Sequence, residues 1–244
     1  MRRLLVPAAQ IEDGGARVGG DALHYLARVL RLGVGDELEV FDGAGRAFPA
    51  RIATLDESEA RLELGPARAA PLAPRITLAQ GIAKGDKMDL VVQKATELGA
   101  ARVVPLQLER CVVRLDPARG ADRAKRWQRI ADEAARQCGR ADVPAVDEPE
   151  ALDAFLAGAE ARGERVAVLW EEEGSARLGP WVAAHLGEPI ALVIGPEGGL
   201  AAREVDQIRA AGGDVVGLGP RILRTETAGL AALAVAMHLA GELG

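Results

Sequence analysis

Two glycine-bearing segments near the carboxyl end hold the residues best suited to chemistry in this 244-residue chain. Ile194-Gly195-Pro196-Glu197-Gly198-Gly199 closes an apolar run, Ile190 to Ile194, and precedes a helix-like stretch from Ala201 to Ala211. Glycines there permit positive φ and let a ligand approach bare backbone at a helix start. Gly217-Leu218-Gly219-Pro220-Arg221-Ile222-Leu223-Arg224-Thr225-Glu226-Thr227-Ala228 repeats the arrangement, after a run from Asp214 to Leu218 and before a helix from about Thr227 to Ala240. Ligands of open α/β sheets sit at the carboxyl ends of strands, so both segments are candidate walls of a binding site. Plainer readings stand beside this one. The first segment also suits a tight strand–helix turn, and the second a helix cap with Thr225 or Thr227 as N-cap and Glu226 facing the dipole.

Several common chemistries lack their residues. No Gly-Lys pair exists, so there is no Walker A loop, and Gly43-Ala44-Gly45 has Phe48 where a dinucleotide fingerprint needs its third glycine. Ser58 and Ser175 are the only serines, neither in Gly-x-Ser-x-Gly context, and His24, His185 and His238 are scattered. Cys111 and Cys138 lie apart with no metal-ligand spacing, so no metal site is expected, and a reducing cytoplasm is the expected compartment. No apolar run approaches the roughly 20 residues that span a bilayer, so no membrane partner is expected.

Charge is unevenly placed. Residues 1–75 carry net −1, residues 84–140 net +5 and residues 141–244 net −10, within an overall −6. A basic middle inside an acidic chain suits a local contact with an anionic polymer, and 26 of the 30 basic residues are arginine, whose fork fits phosphate. Aromatic residues make up only 3% of the chain, which argues against reading bases mainly by stacking.

The elements that must position these residues fall into two groups. Glu37 to Phe41, Phe48 to Ile52 and Arg61 to Leu64 alternate as strands of a small β-barrel, interrupted by a helix from Asp21 to Leu32. Gly65 to Pro74 has three prolines in ten residues and reads as the linker, giving domains 1–70 and 74–244. Beyond it, strands Arg75 to Gln80, Arg102 to Leu108, Val166 to Trp170, Ile190 to Ile194 and Asp214 to Leu218 alternate with helices, the pattern of an α/β domain with a mainly parallel sheet. One helix carries Met88, Val91, Val92, Ala95 and Leu98 on its inner face; the next carries Ala124, Trp127, Ala131, Ala134 and Cys138. The last helix is apolar almost all round, so it is either deeply buried or part of a subunit interface.

The two carboxyl-terminal segments resemble the signature of the RsmE-type 16S rRNA uridine-N3 methyltransferases of the SPOUT superfamily. His24 with Val29-Leu30-Arg31 and Gly35-Asp36, Lys84 to Lys87, Gln93-Lys94 to Glu97-Leu98-Gly99, Glu109-Arg110-Cys111 and Gln137-Cys138-Gly139-Arg140 are similar to that family's motifs in type and order, over nearly the whole chain. The resemblance implies an N-terminal PUA-like barrel and a C-terminal domain tied in a deep trefoil knot. It implies S-adenosylmethionine held by Ile194, Gly195, Pro196, Glu197, Gly198, Gly199, Leu218, Gly219, Arg221, Ile222, Leu223 and Thr227, with the small ribosomal subunit as partner and a homodimer through the C-terminal helix. Ala201 departs from the Ser or Thr usual before a helix.

Methylation of uridine N3 requires loss of its proton. A carboxylate or an oriented water can take it, with Glu226 the candidate acceptor and Arg224 the candidate cation; a helix cap and a phosphate grip are their alternative roles. For RNA, the candidate phosphate contacts are Arg2, Arg3, Arg28, Arg31, Lys84, Lys87, Arg136 and Arg140, the last two with Arg126 and Arg129 near one helix face. The competing readings are a non-catalytic RNA-binding assembly factor on the same fold, against which the intact glycines weigh, and a phosphate-binding enzyme, disfavoured because no lysine follows Lys125.

Overall fold

A computed structural model describes residues 2–12, 14–69, 74–172 and 176–244. Residues 70–73 of the expected linker and Ser175 lie outside the described residues. Two compact units emerge: Met1–Leu72 with Ala135–Val143, and Ala73–Ala134 with Pro144–Gly244.

In the first unit, β1 (Arg3–Leu5), β2 (Ile11–Glu12), β3 (Gly15–Val18), β4 (Glu37–Phe41), β5 (Arg46–Leu55) and β6 (Ala60–Leu64) pair in the order β1-β4-β5-β6-β3-β2. A short β7 (Arg68–Ala69) pairs with the start of β5, so the expected linker begins with a strand. Pairing is antiparallel except between β1 and β4. Alternation puts Leu38 and Val40, Phe48, Ala50 and Ile52, and Ala60 and Leu62 into one core with Leu4, Val6 and Val18.

The helix expected from Asp21 to Leu32 is shorter and irregular. α1 (Gly20–His24) widens into a π-type turn over Tyr25–Val29, and Arg31 sits at φ 53°. Leu26 and Leu32 are both buried, yet six residues apart on a regular helix they would point about 120° away from each other. The chain leaves the helix so that Leu32 turns inward.

Residues 135–143, within the range that sequence assigns to the second domain, join the first unit for a packing reason. Ala135, Ala141 and Val143 cluster with Phe41, Leu5 and Ala47, while the Val143 amide donates to Gly43 O at 2.9 Å. Arg3 ties this segment down. Its Nε donates to Glu39 at 2.6 Å, its Nη1 to the carbonyls of Ala135 and Arg140 at 3.3 and 3.1 Å, and its guanidinium lies over the Phe41 ring at 4.5 Å.

The second unit is a six-stranded, all-parallel sheet in the order β10-β9-β8-β12-β11-β13. Its elements run β8 (Ile76–Gly81), α2 (Lys87–Leu98), β9 (Arg102–Leu106), α3 (Pro117–Cys138), β10 (Ala145–Val146), α4 (Leu152–Ala161), β11 (Arg165–Leu169), α5 (Leu178–Ala184), β12 (Ile190–Ile194), α6 (Ala202–Ala210), β13 (Asp214–Val216) and α7 (Thr225–Leu239). β8 and β12, side by side in the middle, are buried at every residue, which is why they read as unbroken apolar runs. α4 and α5 escaped the sequence reading, although Leu152, Phe155, Leu156 and Ala159 of α4 form a buried i, i+3, i+4, i+7 stripe.

In α3, Ala124, Trp127, Ala131 and Ala134 are buried as expected, but Cys138 is exposed. Gly139 at φ 92° ends the helix, so Arg140 lies beyond it and does not share its face. α7 begins two residues before the expected Thr227. Gly229, Ala232, Leu233, Ala236 and Met237 are buried, whereas Leu230 and Val235 are half-buried and Leu239 is exposed. Leu230 at one edge of the buried face, and Val235 and Leu239 at the other, are therefore only partly covered in the single chain.

Candidate functional site

The carboxyl ends of β11, β12 and β13 open onto a cavity of about 440 Å³, walled by residues 169–171, 194–197, 199–200 and 217–225 together with Ala228 of α7 and Lys87 of α2. Backbone proximity shapes this cavity. A Cβ added at Gly81, the last residue of β8, would lie 2.6 Å from Pro196 N and 2.8 Å from Pro196 Cδ, so the 195–199 segment crosses the end of that strand against bare backbone. Gly199 and Gly219 occupy the left-handed region at φ 70° and 130°, where an L side chain is strained.

Thr225 joins the two segments. Its Oγ1 donates to Gly195 O at 2.6 Å and accepts from Gln80 Nε2 at 2.7 Å, all within a buried pocket of polar groups. The cap position of α7 belongs to Arg224, so Thr225 serves as a latch between segments instead of the expected N-cap, and Thr227 lies exposed in the first turn. Thr225→Val keeps the shape and removes both bonds, leaving Gly195 O without the hydroxyl and Gln80 Nε2 with only the Gly81 carbonyl at 3.2 Å. A loss of about 1–3 kcal/mol in unfolding free energy is expected, measurable by urea denaturation, with Thr225→Ser restoring most of it. An unchanged midpoint would show that the latch contributes nothing.

A charged cluster flanks the latch. Lys87 Nζ lies 3.1 Å from Glu197 Oε1 and 3.1 Å from Glu226 Oε2, and the Lys84 amide donates to Glu197 Oε1 at 3.1 Å. The carboxylates of Glu197 and Glu226 raise the affinity of Lys87 for its proton. Glu226 is held below the usual carboxylate range by its own amide and by Lys87, with Arg224 adding to the effect. For Glu197, burial works upward but is outweighed by its own amide, Lys87 and the Lys84 amide, and the net shift is downward. Behind the site, the missing hydroxyl at Ala201 is offset by Glu204. Its buried carboxylate accepts from the Ala201 amide at 2.9 Å and from the Glu109 amide at 2.8 Å, fixing the start of α6.

Of the residues expected to hold a cofactor, Ile194, Gly195, Pro196, Glu197, Gly199, Leu218, Gly219, Arg221, Ile222 and Leu223 line the cavity; Gly198 and Thr227 do not. Gly198 instead packs on Arg110, whose Nη1 donates to Gly198 O at 3.1 Å. Arg224 is on the wall, but Glu226 is set back from it with its carboxylate against Lys87. Lys87, expected on the RNA side, stands on the wall in its place. Sequence reasoning also missed Leu169-Trp170-Glu171, although the strand ending there was legible and every parallel strand delivers its carboxyl end to the same face.

Among the other expected RNA contacts, Arg2, Arg28, Arg31 and Lys84 are exposed. Arg136 stacks over the Tyr25 ring at 4.4 Å, Arg140 pairs with Asp142, and Arg3 is the structural tie described above. Arg126, counted with them on α3, pairs with Asp89. Among the described residues there is no cluster of metal-ligating side chains, and no helix is long and apolar enough to cross a membrane.

Residues 18–65 match the RNA methyltransferase PUA domain family and residues 70–237 the RNA methyltransferase domain family. The chain is 32% identical to Ribosomal RNA small subunit methyltransferase E of Bacillus subtilis, with 92% of this chain and 90% of that protein covered. It superposes with a TM-score of 0.85 on the Ribosomal RNA small subunit methyltransferase E from Neisseria gonorrhoeae bound to S-adenosyl methionine, at 34% identity and 98% coverage of both. A putative methyltransferase from Legionella pneumophila in complex with bound SAM gives a TM-score of 0.82 at 30% identity, covering 97% of each chain. With the two family matches together covering most of the sequence and near-complete alignment to these relatives, the chain belongs to the RsmE family of ribosomal RNA small subunit methyltransferases.

Proposed function

We propose that this enzyme methylates N3 of one uridine in the 16S rRNA of the small ribosomal subunit, using S-adenosylmethionine held in the cavity between segments 194–199 and 217–224. The observation that carries this reading is the cavity itself, closed by the Thr225 latch and lined by the family's two glycine-bearing segments. The residues suit that group. Leu169, Leu218, Ile222 and Leu223 offer apolar surface for a base, bare backbone at Gly195 and Gly199 permits close approach, and Glu171 and Glu197 supply negative charge for a cationic ligand. When bound, the donor supplies a methyl group on a positively charged sulfur. The chain's own contribution is to position the base in line and to ease loss of its N3 proton, with Arg224 on the wall as a cation beside the developing anion.

Three further features belong to the same reading. The incompletely covered apolar residues of α7, Leu230, Val235 and Leu239, support a homodimer through the C-terminal helix. The return of the chain through 217–224 to place α7 against β8 and β12 supports the trefoil knot. Work on ribosomal RNA agrees with a cytoplasmic enzyme.

Exposed Arg28, Arg31 and Lys84 are the phosphate-binding residues we retain first. Replacing all three by alanine is expected to weaken rRNA binding and to lower the salt slope of log K by about 0.7–0.9 for each phosphate no longer neutralised. Filter binding across a salt series measures this; an unchanged slope would remove these residues from the RNA track. The function itself is tested by incubating the enzyme with labelled donor and small subunits lacking the modification, then mapping the product by mass spectrometry. One 3-methyluridine in 16S rRNA is expected, and methyl on ribose, on another base or on no RNA would refute it.

A further inference from the structure

Lys87 occupies a position that helix preference does not explain. It is the first residue of α2, where the positive end of the helix dipole disfavours a cation. Its ammonium nevertheless reaches the cavity wall, flanked at 3.1 Å by Glu197 from the segment after β12 and at 3.1 Å by Glu226 from α7. An ammonium has three N–H donors, and here its charge is paired at 3.1 Å with two carboxylates from different elements. Among the described residues no other acidic side chain pairs with it, and Lys87 is the one member of the Lys87–Glu226 pair that stands on the wall, so N–H capacity remains for a ligand.

We propose that Lys87 is a catalytic residue that donates a hydrogen bond to a uracil carbonyl oxygen as N3 loses its proton, and that Glu226 and Glu197 are the positioning residues that aim it. This rests on the function proposed above and reverses the roles expected from sequence, in which Glu226 met the substrate and Lys87 met a phosphate. The N3 proton leaves to solvent water, and the negative charge spreads onto the carbonyl oxygens where the ammonium stabilises it. The N3 lone pair then forms the bond to the methyl carbon, and the electron pair of the broken C–S bond stays on sulfur.

Arg221 and Arg224 are the other cations on the cavity wall, and Lys87 is the one held by two carboxylates. α7 packs on α2, α5, β8 and β12. α5, β8 and β12 carry no ionisable side chain. On α2, Asp89 is held by Arg126 and Trp127, and Lys94 by Glu97. Glu171, Arg221 and Arg224 complete the charged groups on the cavity wall. Its two carboxylates strengthen the hold of Lys87 on its proton, which agrees with the role.

The sign of the effect follows from charge. A cation beside the base favours the anion and lowers the apparent pKa of bound uracil, so removing it shifts the alkaline rise of kcat to higher pH. For Lys87→Met the rise is expected to move up by about one pH unit or more, a tenfold change in ionised fraction. Lys87→Arg keeps the charge and is expected to leave the rise in place with a lower plateau. A readout independent of turnover is the ¹⁹F titration of rRNA carrying 5-fluorouridine at the target, bound without donor, where the same displacement is expected between wild type and Lys87→Met. Equal loss of kcat at every pH with no displacement, or a loss confined to KM for RNA with a lower salt slope, would overturn the proposal. If Lys87→Met fails to fold, a displaced rise in Lys87→Arg overturns it and a retained one supports it. Failure of the wild type to methylate rRNA would count against the function reading, whereas an active wild type with an undisplaced variant counts against this inference alone.

Discussion

Gly81→Ala is expected to lower affinity for S-adenosylmethionine by about 10- to 100-fold. The added Cβ would meet Pro196 N at 2.6 Å, Pro196 Cδ at 2.8 Å and Gly195 C at 3.0 Å, all of them backbone or ring atoms that cannot rotate away. The segment over β8 must lift, and with it Gly195 O, the acceptor of the Thr225 hydroxyl. Overpacking of this kind costs roughly 1–3 kcal/mol, and each 1.4 kcal/mol borne by the bound state is tenfold in affinity. Calorimetric titration reads the result. Gly179→Ala is the control, since its Cβ meets nothing within 4 Å, its φ is unstrained and it lies in α5. Affinity unchanged in Gly81→Ala would mean that the segment position does not set the cavity.

Arg3→Ala is expected to destabilise the first unit by about 1–3 kcal/mol, the cost of stranding the partners of a partly buried ion pair. The Arg3 and Glu39 side chains are only 10% and 17% exposed, and the carbonyls of Ala135 and Arg140 would lose their donor. Equilibrium unfolding in urea, with amide exchange of β1 and β4 as a local probe, measures the change. A loss below about 1 kcal/mol, the value of an exposed pair, would return Arg3 to the set of free surface cations open to RNA.

These two residues show what sequence made legible and what it hid. Ile190 to Ile194 and its neighbours are read correctly because central parallel strands are buried on both faces and leave unbroken apolar runs. The glycine segments are legible because positive φ and close approach leave few alternatives to glycine. Gly81 was silent, since its constraint comes from Pro196, over a hundred positions away, and its own φ is unremarkable. Arg3 and Lys87 looked like surface cations because arginine and lysine carry no mark of burial, and their carboxylate partners Glu39, Glu197 and Glu226 are distant in sequence. The helix expected over Asp21 to Leu32 ends early for a similar reason, local periodicity being overridden by the need to bury Leu32.

The central claim is that segments 194–199 and 217–224, latched by Thr225, form one wall for a methyl donor. A crystal structure of this enzyme with S-adenosylmethionine tests it most directly. The donor is expected between those two segments, touching backbone of both, with its methyl toward the side where Lys87 and Arg224 stand. Donor bound away from either segment, or a cavity that stays empty at saturating concentration, would contradict it.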